Sequence, residues 1–436
     1  MAMEAMPSEF NYFSPLAVQS AIEEEYDQSF APVATLERGN PIEFSISGAD
    51  NLYRDLNNSY IVIKCKITQG NGANLAADTA VAPTNLLLHS LFKSIDVYVN
   101  GVLVNHSDTL YAFRAYLETI LGYSQDVLET RAITEGFVKD DADKMDVVIL
   151  AAAGGQNPNS GFVARNARIA LSASITLVGR PHCDLFHQGL DIPPGVTIGL
   201  KLTMNADPFV LMAAAGSAFR VEMQLARMYV RTKRASKSLV MAHLQMLKRS
   251  NARIPFNKVQ VKTAALAGGQ QTFELANLFT AGTVLPNRIV VAMVTNAALA
   301  GAYEANPFRF RNFGITSIGL SVNARTIPAD PLTMNHTTGD YQRAYISMLG
   351  ALGMDAGNRA LAISPATWSD GYNIYAFKLA PGPVGGNGGV ISTPETGNVT
   401  LKLTFAAALA QDTTLIIYSE APALLEIDQF GKVISA

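Results

Sequence analysis

The sequence contains two copies of one set of short phrases, in the same order. Residues 94–100 (SIDVYVN) are matched by residues 317–323 (SIGLSVN), and each copy is followed by a helical phrase, RAYL or RAYI, that ends in Leu-Gly. Later, LKLT occurs at residues 200–203 and again at 401–404. The copies are about 200 to 230 residues apart, as expected when one domain is duplicated and its loops then change length. The repetition predicts two similar domains in tandem.

Short β-type segments dominate both copies. In residues 42–46 and 60–67, apolar residues either alternate with polar ones or form a continuous stretch that contains β-branched residues. Half-buried strands have patterns of this kind. Asn100-Gly101 lies between two such runs and predicts a hairpin, because this pair readily adopts the positive φ angles of a type I′ turn. Further strands are expected at residues 168–177, 196–204, 220–230, 259–262, 288–295, 315–322, 372–379, 399–405 and 414–418.

Helical patterns are rare by comparison. Only residues 110–121 and 341–349 have a convincing helical period. Many short strands, turns rich in Gly and Pro, and so little helix predict an all-β protein of sandwiches or barrels with short helical insertions.

The repeat and the charge distribution divide the chain into four segments. Residues 1–36 have no sustained period of 2 or 3.6 and are expected to form an extended N-terminal arm. The two domains occupy residues 37–235 and 254–436, with a basic linker at residues 236–253. The arm has no Lys or Arg, which argues against genome binding, and its aromatic residues predict docking on a neighbouring subunit or a minor protein. These aromatic residues are Phe10, Tyr12, Phe13 and Tyr26.

Positive charge is concentrated where the two domains meet. The residues are Arg227, Arg231, Lys233, Arg234, Lys237, Lys248, Arg249 and Arg253. A solvated linker would explain the concentration, and so would a basic patch that faces nucleic acid or an acidic neighbour. The net charge of the whole chain is −3, which argues against a dedicated nucleic-acid-binding protein.

Charged residues make up only 16% of the sequence, and hydrophobic residues 49%. Soluble proteins average about 25% charged residues, so the chain has either a very large core or extensive surfaces buried against other subunits. Cys65 and Cys183 do not make a disulfide framework and fit folding in a reducing compartment. No signal peptide and no apolar run of membrane-spanning length is visible, which predicts a protein that is not secreted and has no transmembrane segment.

Few residues are candidates for chemistry. One group has metal-capable side chains and consists of His182, Cys183, Asp184 and His187. Its spacing is not that of a closed four-ligand zinc site, and a packed, hydrogen-bonded loop is the alternative interpretation. A second group, Asp140, Asp141 and Asp143, could share a calcium ion or form a solvated acidic loop.

The remaining motifs do not indicate an enzyme. Glycines 382, 385, 386, 388 and 389 lack the strand-turn-helix setting of a phosphate-binding loop. The sequence has no nucleophile elbow, no H-E-x-x-H motif and no tight histidine constellation. We therefore expect no catalytic, cofactor-binding or metal-binding residues.

Several phrases of the sequence resemble a known family. They are PTNLLLHSLFKSIDVYVNG (83–101), YAFRAYLETILGY (111–123), PHCDLFHQG (181–189), NPFRFRNFGITSIGLSVN (306–323), DGYNIYAFKLAP (370–381) and LEIDQFGKVI (425–434). In order and spacing they are similar to the hexon-type major capsid protein of adintoviruses and Polinton (Maverick) elements, over nearly the whole chain. The resemblance implies a double jelly roll, which consists of two tandem eight-stranded β-sandwich domains. Val97 and Leu320 should then lie on equivalent strands.

The resemblance also implies a function. The chain would form homotrimers of pseudo-hexagonal outline that tile an icosahedral capsid around double-stranded DNA. Its partners would be further copies of itself, penton and minor capsid proteins, and DNA at most non-specifically. It would be located in the virion and assembled in the nucleus or cytoplasm of the host cell, with no metal required. Two alternatives remain. One is a carbohydrate-binding double jelly roll, which the single tryptophan, Trp368, disfavours; the other is a domesticated cellular descendant of a capsid gene.

Overall fold

The computed structural model of the chain describes Tyr12 and residues 18–279, 283–323, 325–355, 360–380, 393 and 395–435. Strands of the N-terminal half are β1 (Ile22–Phe30), β2 (Ile42–Ile46), β3 (Leu52–Gln69), β4 (Val81–Pro83), β5 (Phe92–Val99), β6 (Val102–Asn105), β7 (Ile175–Gly179), β8 (Ile198–Met204), β9 (Leu211–Ala213) and β10 (Phe219–Ala235). Strands of the C-terminal half are β11 (Ala252–Leu266), β12 (Thr272–Leu275), β13 (Arg288–Thr295), β14 (Ile315–Val322), β15 (Arg325–Thr333), β16 (Ile374–Lys378), β17 (Val399–Phe405), β18 (Thr413–Ile427) and β19 (Val433–Ser435).

The helices are short and lie between the strands. They are α1 (Leu87–Ser90), α2 (Tyr111–Gly122), α3 (Gln125–Glu129), α4 (Ser160–Ile169), α5 (Asp207–Val210), α6 (Lys237–Leu247), α7 (Asn296–Ala300), α8 (Gln342–Leu352) and α9 (Pro365–Ser369). Single 3₁₀ turns include Arg131–Glu135 and Asp184–His187. Within the described ranges, none of these helices has the length and apolar character needed to span a bilayer.

Each half of the chain folds into two antiparallel sheets with the same connectivity. The sheet orders are β1-β10-β3-β7 and β2-β8-β5-β6 in the first half, and β11-β18-β13-β16 and β12-β17-β14-β15 in the second. If β4, β9 and β19 are set aside and the strands of each half are counted in chain order, both halves read 1-8-3-6 and 2-7-4-5. This is the connectivity of a jelly roll. The predicted double jelly roll is confirmed.

The register of strand pairing is duplicated as well. Ile95 of β5 lies opposite Leu202 of β8, and Ile318 of β14 lies opposite Leu403 of β17. The pairing shifts at the same place in both halves, just before Ser94 and just before Ser317. The matching phrases of the sequence therefore occupy matching places in the two sandwiches.

The predicted equivalences between the halves are confirmed. Val97 lies on β5 and Leu320 on β14, each the fourth strand of its jelly roll. Helices α2 and α8 each follow the fifth strand, β6 and β15 respectively.

The cores form because alternate residues of a strand point to opposite faces of a sheet. In β2, Ile42, Phe44 and Ile46 are buried while the residues between them are exposed. The central strand β13 is different, because residues 289–294 are all buried. A run of that kind indicates a strand covered on both faces.

Residues 22–30 differ from the sequence expectation. They were expected to belong to an extended arm, and instead they form β1, an edge strand paired antiparallel with β10. Both faces of β1 are largely exposed, so its sequence has no apolar alternation that could reveal a strand. Its pairing depends on β10, about 200 residues away in the sequence.

Two further segments differ in secondary structure. The strand expected at residues 168–177 begins only at Ile175, since α4 runs to Ile169 and a 3₁₀ turn follows. The expected linker contains α6, which begins after the N-cap Ser236, whose hydroxyl accepts a hydrogen bond from the backbone N–H of Leu239. The side chains of α6 are mostly exposed, and Val240 is its one buried residue.

Candidate functional site

The junction between the two jelly rolls contains a buried aromatic cluster. The ring of Tyr116 on α2 stacks on Phe308 of the second half, with ring centroids 4.2 Å apart and an angle of 11° between the planes. Phe113, one turn earlier on α2, meets Phe308 and Phe209 edge to face. Paired aromatic rings bury a large apolar area and favour defined orientations. The cluster therefore holds the two halves in one relative position.

Polar contacts surround this cluster. Asp146 of the first half accepts a hydrogen bond from the backbone N–H of Asn306 at 2.8 Å and forms an ion pair with Arg309 at 2.6 Å. The hydroxyl of Tyr372 donates to the backbone oxygen of Asp140 at 3.2 Å. These bonds join loops of the first half to the segment before β14 and the segment before β16.

Gly371 lies at a close approach of the two halves. Its φ is +92°, and a Cβ atom at this position would lie 2.5 Å from the backbone oxygen of Ala142. Any other residue would be strained in its backbone and would also clash.

On another side of the junction, a crevice of about 360 Å³ is lined by charged side chains from both halves. Arg114 on α2 forms ion pairs with Glu118 at 2.9 Å and with Asp184 at 2.7 Å. Asp184 also accepts a hydrogen bond from the backbone N–H of Val259 on β11 at 3.2 Å, so this network reaches the second jelly roll. Burial alone would raise the pKa of Glu118, but Arg114 and His182 outweigh it and hold that pKa well below its ordinary value.

The second half contributes the other wall of the crevice. Arg288 forms an ion pair with Glu420 at 2.6 Å, and the Tyr418 hydroxyl lies 2.7 Å from Glu420 Oε1 and 3.3 Å from Glu118 Oε1. Buried charges that are paired and hydrogen-bonded in this way define geometry more than they add stability.

The histidine-containing segment singled out in the sequence lies at this crevice. His182 is buried, and its Nδ1 atom is 2.6 Å from Glu118 Oε2. His187 lies close enough for one of its ring nitrogens to be within 4.8 Å of ligand atoms of His182 and Glu118. Burial raises the pKa of the Cys183 thiol and so favours its protonated form.

Two residues that sequence inspection missed, His89 and Glu135, also reach His182. They are 46 residues apart in the sequence and neither belongs to a recognisable metal motif. A polar residue inside the apolar run of residues 86–92 was the only local sign of His89.

The acidic group does not converge on one point. Asp140 is buried and forms an ion pair with Arg165 at 2.8 Å, and it accepts a hydrogen bond from Asn159 at 2.8 Å. Asp141 accepts hydrogen bonds from Ser160 at the start of α4, and Asp143 is exposed. The glycine group at 382–389 lies outside the described residues.

The basic residues at the end of β10 are paired with acids. Arg231 contacts Asp27 at 2.6 Å, and Arg234 contacts Glu24 at 2.9 Å, both across the β1–β10 ladder. Lys233 contacts Asp55 and Asp191 at 2.8 and 3.0 Å. These charges are neutralised within the chain, which leaves less positive potential for nucleic acid than the sequence indicated.

The position of Trp368 tests whether this side chain could bind a carbohydrate. It is fully buried, its indole N–H donates to the backbone oxygen of Ile374 at 2.8 Å, and its ring packs against His336 and Tyr375. The only indole of the chain is therefore not available to stack on a sugar.

Two jelly rolls in one chain, joined by this junction, define the class of double jelly-roll proteins, and solved structures of viruses share the fold. The cryo-EM structure of the Sputnik virophage matches with a TM-score of 0.59 and 12% identity, covering 100% of this chain and 92% of the other. The Faustovirus major capsid protein matches with a TM-score of 0.56 and 8% identity, covering 96% and 92%. The crystal structure of the mavirus major capsid protein matches with a TM-score of 0.52 and 14% identity, covering 100% and 95%.

In sequence, the chain is similar to an uncharacterized protein of Caenorhabditis elegans. The two are 23% identical over 406 residues, which cover 89% of this chain and 91% of the relative. No protein-family model matches the sequence.

Proposed function

We propose that this protein is the hexon-like major capsid protein of a double-stranded DNA virus or virus-like element. The observation that carries the proposal is the duplication of strand order and pairing register within one chain, joined by a buried junction. Faustovirus and mavirus major capsid proteins share this fold. A structural role without catalysis agrees with the polar side chains at the junction, because most of them are engaged in hydrogen bonds and ion pairs with one another.

The duplication explains how such a chain would assemble. Three copies contain six similar sandwiches, and a closed trimer of them has a pseudo-hexagonal outline that packs against neighbours on all sides. Exposed apolar side chains are available for such contacts, among them Met241, Leu244 and Met246 on α6 and Ile346 on α8. Subunit interfaces are enriched in Met and depleted of charged residues relative to the rest of the surface.

Within this class, the phrases described above favour a capsid protein of the adintovirus or Polinton type. Its partners would be its own copies within and between trimers, together with penton and minor capsid proteins. The internal pairing of Arg231, Lys233 and Arg234 supports at most a weak, non-specific contact with packaged DNA. The protein would be located in the virion capsid after assembly inside the host cell.

A second candidate is a double jelly-roll protein retained by a cellular genome. The relative in Caenorhabditis elegans favours it, because that organism is an animal. Both candidates would have the same fold and form trimers, and only the viral capsid protein would assemble its trimers into closed shells. The carbohydrate-binding alternative is disfavoured by the buried position of Trp368.

The proposal is tested by measuring the assembly state of the purified chain. Light scattering coupled to gel filtration should report a mass three times the 46.6 kDa of the chain, and negative-stain electron microscopy should show particles of hexagonal outline. A monomer at micromolar concentration would contradict the capsid proposal. Co-expression with a penton protein then separates the candidates, since only a working capsid protein forms closed shells.

A further inference from the structure

Three side chains from separate segments meet in the interior beside the crevice. His89 lies on α1, Glu135 ends the 3₁₀ turn Arg131–Glu135, and His182 precedes the turn Asp184–His187. Each offers one ligand atom, and the three atoms lie within 4.8 Å of one another. Their side chains are 2%, 8% and 3% exposed, respectively. Two imidazoles and a carboxylate are a donor set that suits zinc and similar divalent ions.

Two of these atoms lack a hydrogen-bond partner. His89 Nε2 and Glu135 Oε2 are both buried, and neither makes a hydrogen bond. The two atoms face each other at 3.5 Å, as an ion pair that is charged only if the imidazole is protonated. Buried polar atoms are nearly always hydrogen-bonded, so two that face each other without a hydrogen bond need an explanation. Ligand bonds of about 2.0–2.2 Å to a tetrahedral ion place neighbouring nitrogen and oxygen ligands roughly 3.3–3.5 Å apart, which matches this separation.

The surroundings engage the Nδ1 atom of both imidazoles. His89 Nδ1 lies 2.8 Å from the Tyr111 hydroxyl, and His182 Nδ1 lies 2.6 Å from Glu118 Oε2. With Nδ1 engaged, Nε2 of each ring is the nitrogen that can bind an ion. Metal-binding histidines almost always donate their other ring N–H to a carboxylate or another acceptor in this way.

We propose that His89, Glu135 and His182 bind one divalent transition-metal ion of the zinc class, with Glu118 and Tyr111 orienting the imidazoles. This departs from the sequence expectation of no metal-binding residues, and it goes beyond the proposed capsid role. The ion joins α1, the 131–135 turn and the loop at residue 182 beside the contact with the second jelly roll. It stabilises the folded chain, because it binds the folded and not the unfolded state.

A competing arrangement shares His182 and uses Glu118 and His187. Glu118 is already committed, since it pairs with Arg114 at 2.9 Å and accepts the 2.6 Å hydrogen bond from His182. Its carboxylate therefore acts as the acceptor behind His182, and the ion lies on the His89 side of that ring.

The test is the metal content of the full-length chain produced in cells supplied with Zn²⁺ or with Co²⁺. We expect about one ion per chain after gel filtration, and visible absorption bands of bound Co²⁺ in the cobalt form. His89→Gln and Glu135→Gln should each lower occupancy to roughly a tenth, and Glu118→Gln should weaken affinity about 10- to 100-fold. Circular dichroism establishes that each variant is folded, and removal of zinc should lower the Tm of the wild-type chain.

His106→Gln is the matched control. His106 also lies between two carboxylates, Asp96 and Asp108, but its side chain is half exposed and both ring nitrogens are paired. Its loss should leave metal content unchanged. Wild-type protein without stoichiometric metal overturns the proposal, and so does a folded Glu135→Gln variant that retains it. Metal content is measured on the chain alone, so failure to form trimers or shells affects only the capsid proposal.

Discussion

The side-chain oxygen of Asn100 accepts a hydrogen bond from the backbone N–H of Thr197 at 2.8 Å. The second jelly roll repeats the arrangement, with Asn323 accepting from the backbone N–H of Asn398 at 3.0 Å. Both asparagines have a φ of +47°. The last residue of the repeated phrase thus turns the β5–β6 and β14–β15 hairpins and fastens each to the neighbouring strand, β8 or β17.

Replacing Asn100 or Asn323 by Ala should destabilise the protein by about 1–3 kcal/mol, because each change removes the two hydrogen bonds of the amide side chain and leaves a β-carbon in a left-handed conformation. Replacement by Gly removes only these hydrogen bonds and should cost about 1 kcal/mol. The free energy of unfolding in guanidinium chloride measures both. Equal effects of Ala and Gly would show that the backbone conformation contributes nothing.

Gly371→Ala should destabilise the junction by about 2–4 kcal/mol, since the methyl group meets the backbone oxygen of Ala142 as well as a positive φ. Gly339→Ala is the control, because Gly339 has a φ of +82° with no atom near the added carbon. It should cost only about 1–2 kcal/mol. Thermal unfolding gives the Tm of both variants. Identical Tm values would show that the close contact with Ala142 adds nothing to the cost of the substitution at Gly371.

Asp55 should make stability depend on pH in the acid range. Burial alone would raise its pKa, but Lys233 and Asn58 outweigh burial, and the pKa in the folded protein is lowered. A carboxyl group of this kind adds stability above its unfolded pKa of about 3.9 and loses that contribution as pH falls through the folded value.

Asp55→Asn should therefore lower the free energy of unfolding by about 1–3 kcal/mol at pH 7, and the difference from wild type should shrink as pH falls below about 4. The exposed Asp78→Asn serves as the control and should change stability little at either pH. Urea unfolding at several pH values measures the effect. A difference that stays constant down to pH 2 would assign it to packing instead of charge.

Truncation should separate β1 from the residues before it. Removing residues 1–20 should leave the fold and the trimer intact, whereas removing residues 1–30 should leave β10 paired only with β3 and expose its other edge to association. Gel filtration with light scattering and a denaturation curve for both proteins distinguish them. If the two truncated proteins behave alike, β1 contributes nothing to the first jelly roll.

The repeated phrases predicted equivalent strands in the two halves, and the structure shows that Ile95 and Leu202 pair in the same register as Ile318 and Leu403. The strand formed by residues 22–30 did not follow. Its acidic residues Glu24 and Asp27 form ion pairs with Arg234 and Arg231, respectively. Because these arginines are distant in the sequence, no local pattern reveals the pairing.

By itself, the sequence determined the all-β class, the duplication and the approximate positions of most strands. These depend on alternation, turn residues and repetition, which are local properties of the chain. Only the tertiary structure decided that Tyr116 stacks on Phe308, and that His89, Glu135 and His182 meet. Such contacts join residues brought together by several sheet crossovers, and no local pattern of side chains encodes which distant segments a crossover will make neighbours.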